Sequence, residues 1–447
     1  MEPPQGPYDG ACSISHHPAS CGDGGVVDLT TRYSLNGSVP AIVRQPQTVE
    51  EVAETLREAA RSGWAVVPWG SGAHQGIGHA PTRYDLALDL IRLSRVLRHR
   101  PANLTIRVEA GIRLADLNAM LAEHGQWLPL DPPFGNRATI GGILATGLSG
   151  PLRARYGSAR DLLIGIRVAL ADGTLIQGGG EVVKNVAGYD LPKLFHGALG
   201  TLGVIVEAAF KLWPRPRAEA TWVFSFPRVE AALPLTLGML RHPGFPLAVE
   251  VLNARAWEIL REEIELPADP GARVWVLVRA GGWPAQVERI GRDAVAAASG
   301  ARARDRLPEE TASALWARVP SVAVLPTPAP VGALGVRLGL LPSQLTEGAA
   351  ALEALEEIPV LWRAHGTLGL IYAEGHGPLE TLLRWAQALR SFALAHRGHF
   401  MILGGPEGIK QTLGLWAPLR PEVEVMRRIK AQLDPEGRLN PGRLGWA

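Results

Sequence analysis

The chain has 447 residues, more than the roughly 250 to 300 at which a single hydrophobic core stops growing, so we expect two or three domains. Apolar residues make up 47% and charged residues 20%, which is typical of a globular protein and excludes a disordered or fibrous chain. The net charge of +2 gives no basic footprint for nucleic acid. The sequence has neither a run of about 20 apolar residues nor a secretory signal, and only two cysteines, which together favour a cytoplasmic protein without direct membrane insertion.

The N-terminal segment, residues 1–35, is rich in Gly, Pro and Ser and lacks periodicity, which predicts a tail or docking arm. Within it, Cys12, His16, His17 and Cys21 offer zinc-type ligand atoms, but their spacing fits no metal motif. A metal site and a flexible tail with incidental ligand types are both open. We expect the tail and no metal ion.

Regular periodicity starts at Thr48, where "TVEEVAETLREAARSG" opens with Thr48 and Glu51 in capping-box spacing and ends at Gly63. The buried face predicted for this helix consists of Val49, Val52, Ala53, Leu56 and Ala60. "WAVVP" and "LTIRVEA" then read as strands and "RLADLNAMLAEHG" as a helix. The alternation predicts an α+β or α/β domain over residues 36–216.

A domain boundary is predicted at "KLWPRPRAE", which combines two prolines with several basic residues. Beyond it, "ARVWVLVRA" and "GTLGLIYAEG" read as strands, and "PAQVERIGRDAVAAASG" and "PLETLLRWAQALRSFALAHRG" as helices. We therefore expect a second α+β unit at 217–410. The last segment, 411–447, is predicted to be a helix followed by a Pro/Gly-rich tail.

Three glycine-rich runs lie in the first domain. In "PWGSGAHQG", Gly70 and Gly72 follow a strand directly, where successive backbone amides can form an anion-binding nest. The run is neither G-x-G-x-x-G opening a helix nor a P-loop, so a plain glycine-rich turn is equally consistent with it. The run "PPFGNRATIGGILATGLSGPLRARYGSARD" adds glycines and hydroxyls that suit a long ligand lying against backbone, and a glycine-rich crossover between strands is the alternative. A third run, "KNVAGYDLPKLFHGALGTLGVIVEAAFKLWPRP", follows in the same domain.

The order of "PWGSGA", "ATIGGILATGLSGPLRARYGSARD", "VALADGTLI", "KNVAGYDLPKLFHGALGTLGVI" and "DPEGRLNPGRL" resembles the FAD-binding oxidoreductases of the vanillyl-alcohol oxidase type, which carry a PCMH-type FAD domain. Within that family the motifs are most similar to those of bacterial glycolate oxidase E subunits (GlcE). The resemblance implies an α+β fold: a two-subdomain PCMH-type FAD-binding domain, an α+β cap, and a C-terminal segment packing on the FAD domain.

The resemblance also implies which residues bind FAD. The pyrophosphate loop comprises Pro68, Gly70, Ser71, Gly72, Ala73 and His74. The path along the dinucleotide comprises Pro132, Thr139, Gly141, Gly142, Ala145, Thr146, Gly147, Ser149, Gly150, Arg155, Tyr156 and Gly157. Val204 and Ile205 are expected on the adenosine side, and Asn440 near the flavin ring.

Two histidines of the first loop bear on how FAD is held. Relatives with covalent flavin carry a histidine where this chain has Ala73, and His74 is one residue late. The resemblance therefore implies noncovalent FAD. His79 is expected to be an ordinary loop histidine.

The substrate machinery of related 2-hydroxy acid dehydrogenases, a His/Asp/Asn-rich motif in the cap, corresponds to "AHGTLGLIY" here. His365 is retained, but Thr367, Leu368 and Leu370 replace polar ligands, and apolar residues do not hold a metal or a carboxylate. No catalytic residue is therefore predicted. Polar residues near the flavin could instead be Lys184, Asn185, Tyr189 and Asp190, the last two with a purely structural alternative as helix-capping residues.

The resemblance implies an FAD-dependent oxidoreductase that acts as a subunit of a glycolate oxidase or dehydrogenase complex. Its partners would be a D-type flavin subunit and an iron–sulfur subunit, which pass electrons from glycolate or a similar 2-hydroxy acid to a quinone. The expected hetero-oligomer is cytoplasmic, with contact to the inner membrane only through partners. A free-standing 2-hydroxy acid dehydrogenase and a scaffold subunit that merely keeps the fold are the two alternatives.

Overall fold

The computed structural model describes residues 31–180, 189–418 and 421–445. The cysteine/histidine stretch from Cys12 to Cys21 lies outside the described residues, as do Lys184 and Asn185.

Strands and helices alternate along the described chain. The strands are β1 (Ile42–Arg44), β2 (Val66–Trp69), β3 (Leu86–Asp89), β4 (Val96–Arg100), β5 (Thr105–Glu109), β6 (Gln126–Trp127), β7 (Leu163–Ala169), β8 (Leu175–Gly179), β9 (Val204–Lys211), β10 (Trp213–Pro214), β11 (Ala218–Phe226), β12 (Ala248–Asn253), β13 (Val274–Gly282), β14 (Ala303–Arg306), β15 (Ala333–Gly339), β16 (Val360–His365), β17 (Leu370–His376), β18 (His399–Gly404) and β19 (Trp416–Ala417).

The helices are α1 (Val49–Ser62), α2 (Leu114–Ala122), α3 (Ile140–Thr146), α4 (Arg153–Tyr156), α5 (Ala159–Leu162), α6 (Leu191–Phe195), α7 (Val229–Leu240), α8 (Ala254–Arg261), α9 (Pro284–Ala297), α10 (Glu309–Arg318), α11 (Leu345–Glu353), α12 (Leu379–Ala395), α13 (Glu407–Leu413) and α14 (Glu422–Leu433).

Separate sheets organise the two halves of the chain. The first half holds a parallel sheet of order β1-β3-β2 and an antiparallel sheet of order β4-β5-β9-β7-β8. The second half is built on a nine-stranded antiparallel sheet of order β14-β11-β13-β12-β16-β17-β15-β18-β19. Helices cover these sheets, and each half has its own buried apolar clusters. The α+β prediction is confirmed.

The first helix shows how local sequence sets an element. The Thr48 hydroxyl accepts from the Glu51 amide at 3.1 Å, and Gly63 ends α1 with φ +69°, a left-handed conformation that glycine adopts without strain. The buried face differs from the prediction at one position: Ala59 is buried, while Ala60 is only half-buried. The predicted face ran i, i+3, i+4, i+7 to Ala60, but α1 is turned so that Ala59 meets the sheet instead.

The C-terminal segment returns to the first half of the chain. After α14, the Arg438 carbonyl accepts from the Val66 amide at 2.8 Å, and the Asn440 amide donates to the Val66 carbonyl at 2.9 Å. The buried Lys430 ammonium donates to the carbonyls of Thr201 at 2.7 Å and Leu439 at 3.1 Å. These bonds fix the tail against β2 and against the turn that precedes β9.

Candidate functional site

A cleft opens in the first half where the end of β2, helix α3, the turn before β9 and the returning tail meet. Its empty volume, including the open mouth, is about 760 Å³, within the range of ligand-binding clefts. All three glycine-rich runs of the sequence contribute to its wall.

The loop after β2 presents backbone to this cleft. The amides of Gly70, Ser71 and Gly72 find no hydrogen-bond acceptor among the described residues. Gly72 has φ +77°, and a Cβ on Gly70 would lie 2.3 Å from the Thr139 hydroxyl. Glycine is therefore required at these two positions by backbone conformation and by close approach. Free amides in such a loop suit an anion such as a pyrophosphate.

Helix α3 forms the facing wall. Its N-cap residue, Thr139, accepts from the Gly142 amide at 3.3 Å, and the Thr146 hydroxyl donates to the Gly142 carbonyl at 2.8 Å. A Cβ on Gly141 would lie 3.0 Å from Ala110. Two glycines at the start of the helix thus keep the wall thin, which lets a ligand lie close to the backbone.

The returning tail supplies two buried polar side chains. The Asn440 amide group donates to the Leu199 carbonyl at 2.6 Å, while its Oδ1 is buried and has no partner in the described chain. The Arg443 guanidinium donates to the carbonyls of His79 and Gln75 at 2.7 Å each, and its Nε is likewise buried without a partner. Burial lowers the pKa of Arg443 to about 10, so it stays charged at neutral pH. Unsatisfied buried groups of this kind cost free energy unless a ligand pairs with them.

His74 lines the cleft and is buried. Its Nε2 lies 2.7 Å from the Pro133 carbonyl oxygen, which only accepts, so Nε2 carries the proton. Burial lowers the pKa of His74 to about 4, which makes the ring neutral at physiological pH. His79, by contrast, points to the second half of the chain, where its Nδ1 lies 2.7 Å from Glu407 Oε1. It does not line the cleft.

Most of the residues predicted to bind FAD line this one cleft. They are Pro68, Gly70, Ser71, Gly72, Ala73, His74, Thr139, Gly141, Gly142, Ala145, Thr146, Val204, Ile205 and Asn440. That they contact FAD stays a prediction.

The remaining predicted residues lie outside the lining of the cleft: Pro132, Gly147, Ser149, Gly150, Arg155, Tyr156 and Gly157. The structure gives several of them packing roles. A Cβ on Gly150 would lie 1.8 Å from the Asp131 carbonyl oxygen, so glycine is needed there for backbone packing. The Tyr156 ring packs edge-on against Trp127 and Trp213, and Arg155 lies over the Phe245 ring.

Trp69, within the predicted loop from Pro68 to His74, also lines the cleft. The sequence did not point to several other lining residues: Gln75, Leu90, Ala110, Leu199, Gly200, Gly203 and Arg443. A signal existed for Arg443, since it lies in the same "LNPGR" motif as Asn440. Leu90 and Ala110 carried none, because only the packing of β3 and β5 beside α3 brings them there.

A second polar cluster is buried in the nine-stranded sheet. The Glu250 carboxylate accepts from His365 Nδ1 at 2.6 Å and from Arg363 Nη1 at 3.2 Å, and all three side chains are at most 1% exposed. Arg363 also donates to backbone carbonyls, and Tyr372 packs against both Arg363 and His365. Burial lowers the pKa of His365, so its ring is neutral. His365 is thus committed to Glu250 and does not line the cleft.

Tyr189 and Asp190, the two described members of the polar set proposed near the flavin, do not line the cleft. Tyr189 is 93% exposed, and Asp190 forms an ion pair with Lys193 on the surface. No cluster of three or more metal-ligating side chains occurs in residues 31–180, 189–418 and 421–445. Within the same ranges, no helix is long and apolar enough to span a membrane.

Comparison with known proteins shows what this architecture is similar to. Residues 40–179 match the FAD binding domain family, and residues 215–323 with 419–444 match the C-terminal domain of FAD linked oxidases. Glycolate oxidase subunit GlcD of Bacillus subtilis is 25% identical over 437 residues, 93% of this chain and 91% of GlcD. Glycolate oxidase subunit GlcE of Escherichia coli is 37% identical over 180 residues, 40% of this chain and 51% of GlcE.

Two further proteins extend the comparison. D-2-hydroxyglutarate dehydrogenase of Xanthomonas citri pv. viticola is 28% identical over 449 residues, 93% of this chain and 91% of that enzyme. Among solved structures, alkyldihydroxyacetonephosphate synthase superposes with a TM-score of 0.66 at 19% identity, covering 89% of this chain and 76% of that one. At 19% identity, the similarity to the synthase is one of fold alone.

Proposed function

Because this chain belongs to the FAD-linked oxidoreductases with a PCMH-type FAD-binding domain, we propose that it is the FAD-binding subunit of a complex of the glycolate oxidase type. FAD is its cofactor. The complex oxidises glycolate or a similar 2-hydroxy acid, and electrons pass through a D-type flavin subunit and an iron–sulfur subunit to a quinone. The cytoplasmic location, the noncovalent attachment of FAD and the domain limits remain predictions from the sequence.

The residues of the cleft fit FAD. Free amides at Gly70, Ser71 and Gly72 suit its pyrophosphate, and the unpartnered Asn440 Oδ1 and Arg443 Nε suit polar edges elsewhere on the molecule. Bound FAD supplies the redox chemistry, accepting two electrons from a substrate and passing them on. The protein holds the cofactor in the cleft.

One observation favours a cofactor-holding subunit over a complete enzyme: Arg363, the cation in the buried cluster of Glu250, Arg363 and His365, is already paired. Its charges are paired with one another, and Arg363 is further bound to the Pro320 and Val322 carbonyls. A substrate carboxylate needs a cation that is free to bind it. Arg363 would have to leave a buried ion pair to do so, which costs several kcal/mol.

Co-expression of this chain with a glycolate oxidase D-type flavin subunit and an iron–sulfur subunit from the same organism tests the proposal. We expect all three to copurify, and the assembly to reduce a quinone analogue in the presence of glycolate. A stable monomer that copurifies with neither partner, although both partners are folded, would overturn the assignment to a complex.

A free-standing 2-hydroxy acid dehydrogenase is the second candidate, favoured by the alignments to GlcD and D-2-hydroxyglutarate dehydrogenase, which span about nine-tenths of both chains. In that case the isolated chain oxidises D-lactate, D-2-hydroxyglutarate or glycolate by itself. Turnover of any of the three with an artificial electron acceptor, in the absence of other proteins, distinguishes this candidate from a subunit.

A further inference from the structure

Arg443 is the centre of a set of backbone bonds at one end of the cleft. Its Nη1 donates to the His79 carbonyl at 2.7 Å, and its Nη2 donates to the carbonyls of Gln75 at 2.7 Å and Ile77 at 2.5 Å. The tail thereby fixes residues 75–79, which continue directly from the glycine loop. The residue itself is only 2% exposed.

The guanidinium has no carboxylate partner within the described ranges. Glu407, a neighbouring acid, is bonded to His79 at 2.7 Å and to the Ala80 amide at 3.1 Å, and lies 3.6 Å from Lys410. Nε is the side-chain nitrogen of Arg443 that has no hydrogen-bond partner in the described chain, and it is buried in a residue that lines the cleft. A buried, unneutralised cation with a free donor costs free energy unless an acceptor meets it.

We propose that Arg443 directs its cation and its free Nε–H at the flavin ring of FAD and stabilises the reduced, more negative form of the ring. The pyrimidine edge of a flavin carries carbonyl and ring-nitrogen acceptors, and two-electron reduction adds negative charge there. A fixed, buried cation beside the ring therefore favours the reduced state. The inference rests on FAD as the cofactor, and it holds whether or not the chain works in a glycolate-oxidising complex.

Lys410 provides a matched control. It is also a buried cation, and its ammonium donates to the carbonyls of Gly78 at 2.8 Å and Gly76 at 3.4 Å, in the same segment that Arg443 holds. It does not line the cleft. If Arg443 only supports the loop, variants of both residues should change the properties of the flavin. If Arg443 acts directly on the flavin, only its own variants should do so.

The test is the flavin midpoint potential of the FAD-loaded protein, together with the affinity of the flavin for sulfite, which adds to flavins next to a positive charge. We expect Arg443→Gln to bind sulfite at least tenfold more weakly and to have a potential lower by about 30 mV, the two-electron equivalent of a tenfold change. Arg443→Lys should fall between Arg443→Gln and the wild type. Lys410→Met should match the wild type in both measurements.

An unchanged potential and unchanged sulfite affinity in FAD-loaded Arg443→Gln would overturn the proposal, as would an equal shift in Lys410→Met. If Arg443→Gln does not fold, the wild-type protein decides: the proposal requires that its flavin form a sulfite adduct, and the absence of an adduct contradicts it.

Discussion

His365 Nδ1 lies 2.6 Å from the Glu250 carboxylate, and both residues are only 1% exposed. The histidine belongs to "AHGTLGLIY", the segment for which the sequence predicts no catalytic residue, and it is bonded within the sheet. Its Nε2 is also buried without a partner among the described residues. The bond between β12 and β16 thus makes His365 part of the buried core of the nine-stranded sheet.

The first prediction concerns this cluster. Glu250→Gln removes the charge that compensates Arg363, so we expect a loss of about 3 to 5 kcal/mol in the free energy of unfolding, measured by denaturant titration. Glu219→Gln breaks the more exposed pair with Arg279 and should cost less than about 1 kcal/mol. At denaturant concentrations too low to unfold it, Glu250→Gln should keep the wild-type FAD content, because Glu250 does not line the cleft. Wild-type stability in Glu250→Gln would show that the cluster is not a paired core element.

The second prediction concerns the glycine loop. A Cβ at position 70 would lie 2.3 Å from the Thr139 hydroxyl and 3.3 Å from its Cβ, and a β-branched side chain cannot easily turn away. We expect Gly70→Ala to weaken FAD binding at least tenfold, by about 1.4 kcal/mol, in a calorimetric titration of the apoprotein. The control is Gly408→Ala, where the added Cβ meets nothing within 4 Å. Equal affinities in the two variants would exclude the loop from the FAD site.

The third prediction concerns the attachment of FAD. The resemblance implies noncovalent FAD, since Ala73 stands where it places the histidine of a covalent flavin link, and His74 donates through Nε2 to Pro133. Precipitation with trichloroacetic acid should therefore release all the flavin into the supernatant, as read from its absorbance near 450 nm. A yellow pellet would show a covalent bond and would make His74 the residue to examine by peptide mapping.

The fourth prediction concerns the pH dependence of stability, to which two groups with oppositely shifted pKa values contribute. The pKa of His74 is lowered to about 4 from 6.5, so the unfolded state binds more protons and stability falls as pH drops from about 6.5 towards 4. The pKa of Asp131 is raised to about 7 by burial, so its contribution is lost as pH rises towards and through 7.

Variants separate the two effects. His74→Gln should be less sensitive than the wild type to acidification between pH 6.5 and 4.5, and Asp131→Asn should be less sensitive to a rise from pH 5 to 8, both in the free energy of unfolding of the apoprotein. Asp131 is only partly buried, so solvent screens its charge, and we expect its effect on stability to be the smaller of the two. Parallel pH curves for the wild type and both variants would contradict these assignments.

Local signals in the sequence sufficed for the elements and for much of the cleft. Helix α1 begins after Thr48 and ends at Gly63, as predicted, because capping depends on residues a few positions apart. The glycine runs indicated the cleft, because positions where a ligand or another chain segment approaches the backbone closely require glycine. The Glu250–His365 pair, 115 residues apart, left no trace in the local sequence. The approach of Asp131, which requires glycine at position 150, left none either. Partners that meet only through sheet pairing are not visible in one sequence.

The most direct test of the central claim is anaerobic addition of glycolate to the purified, FAD-loaded chain, followed in the visible absorption spectrum. Because Arg363 is already paired with Glu250, we predict that the flavin bands of the isolated chain stay oxidised, and that they bleach once the D-type flavin subunit and the iron–sulfur subunit are present. Bleaching of the isolated chain by glycolate alone would contradict the account, since it would require a working substrate site within this chain.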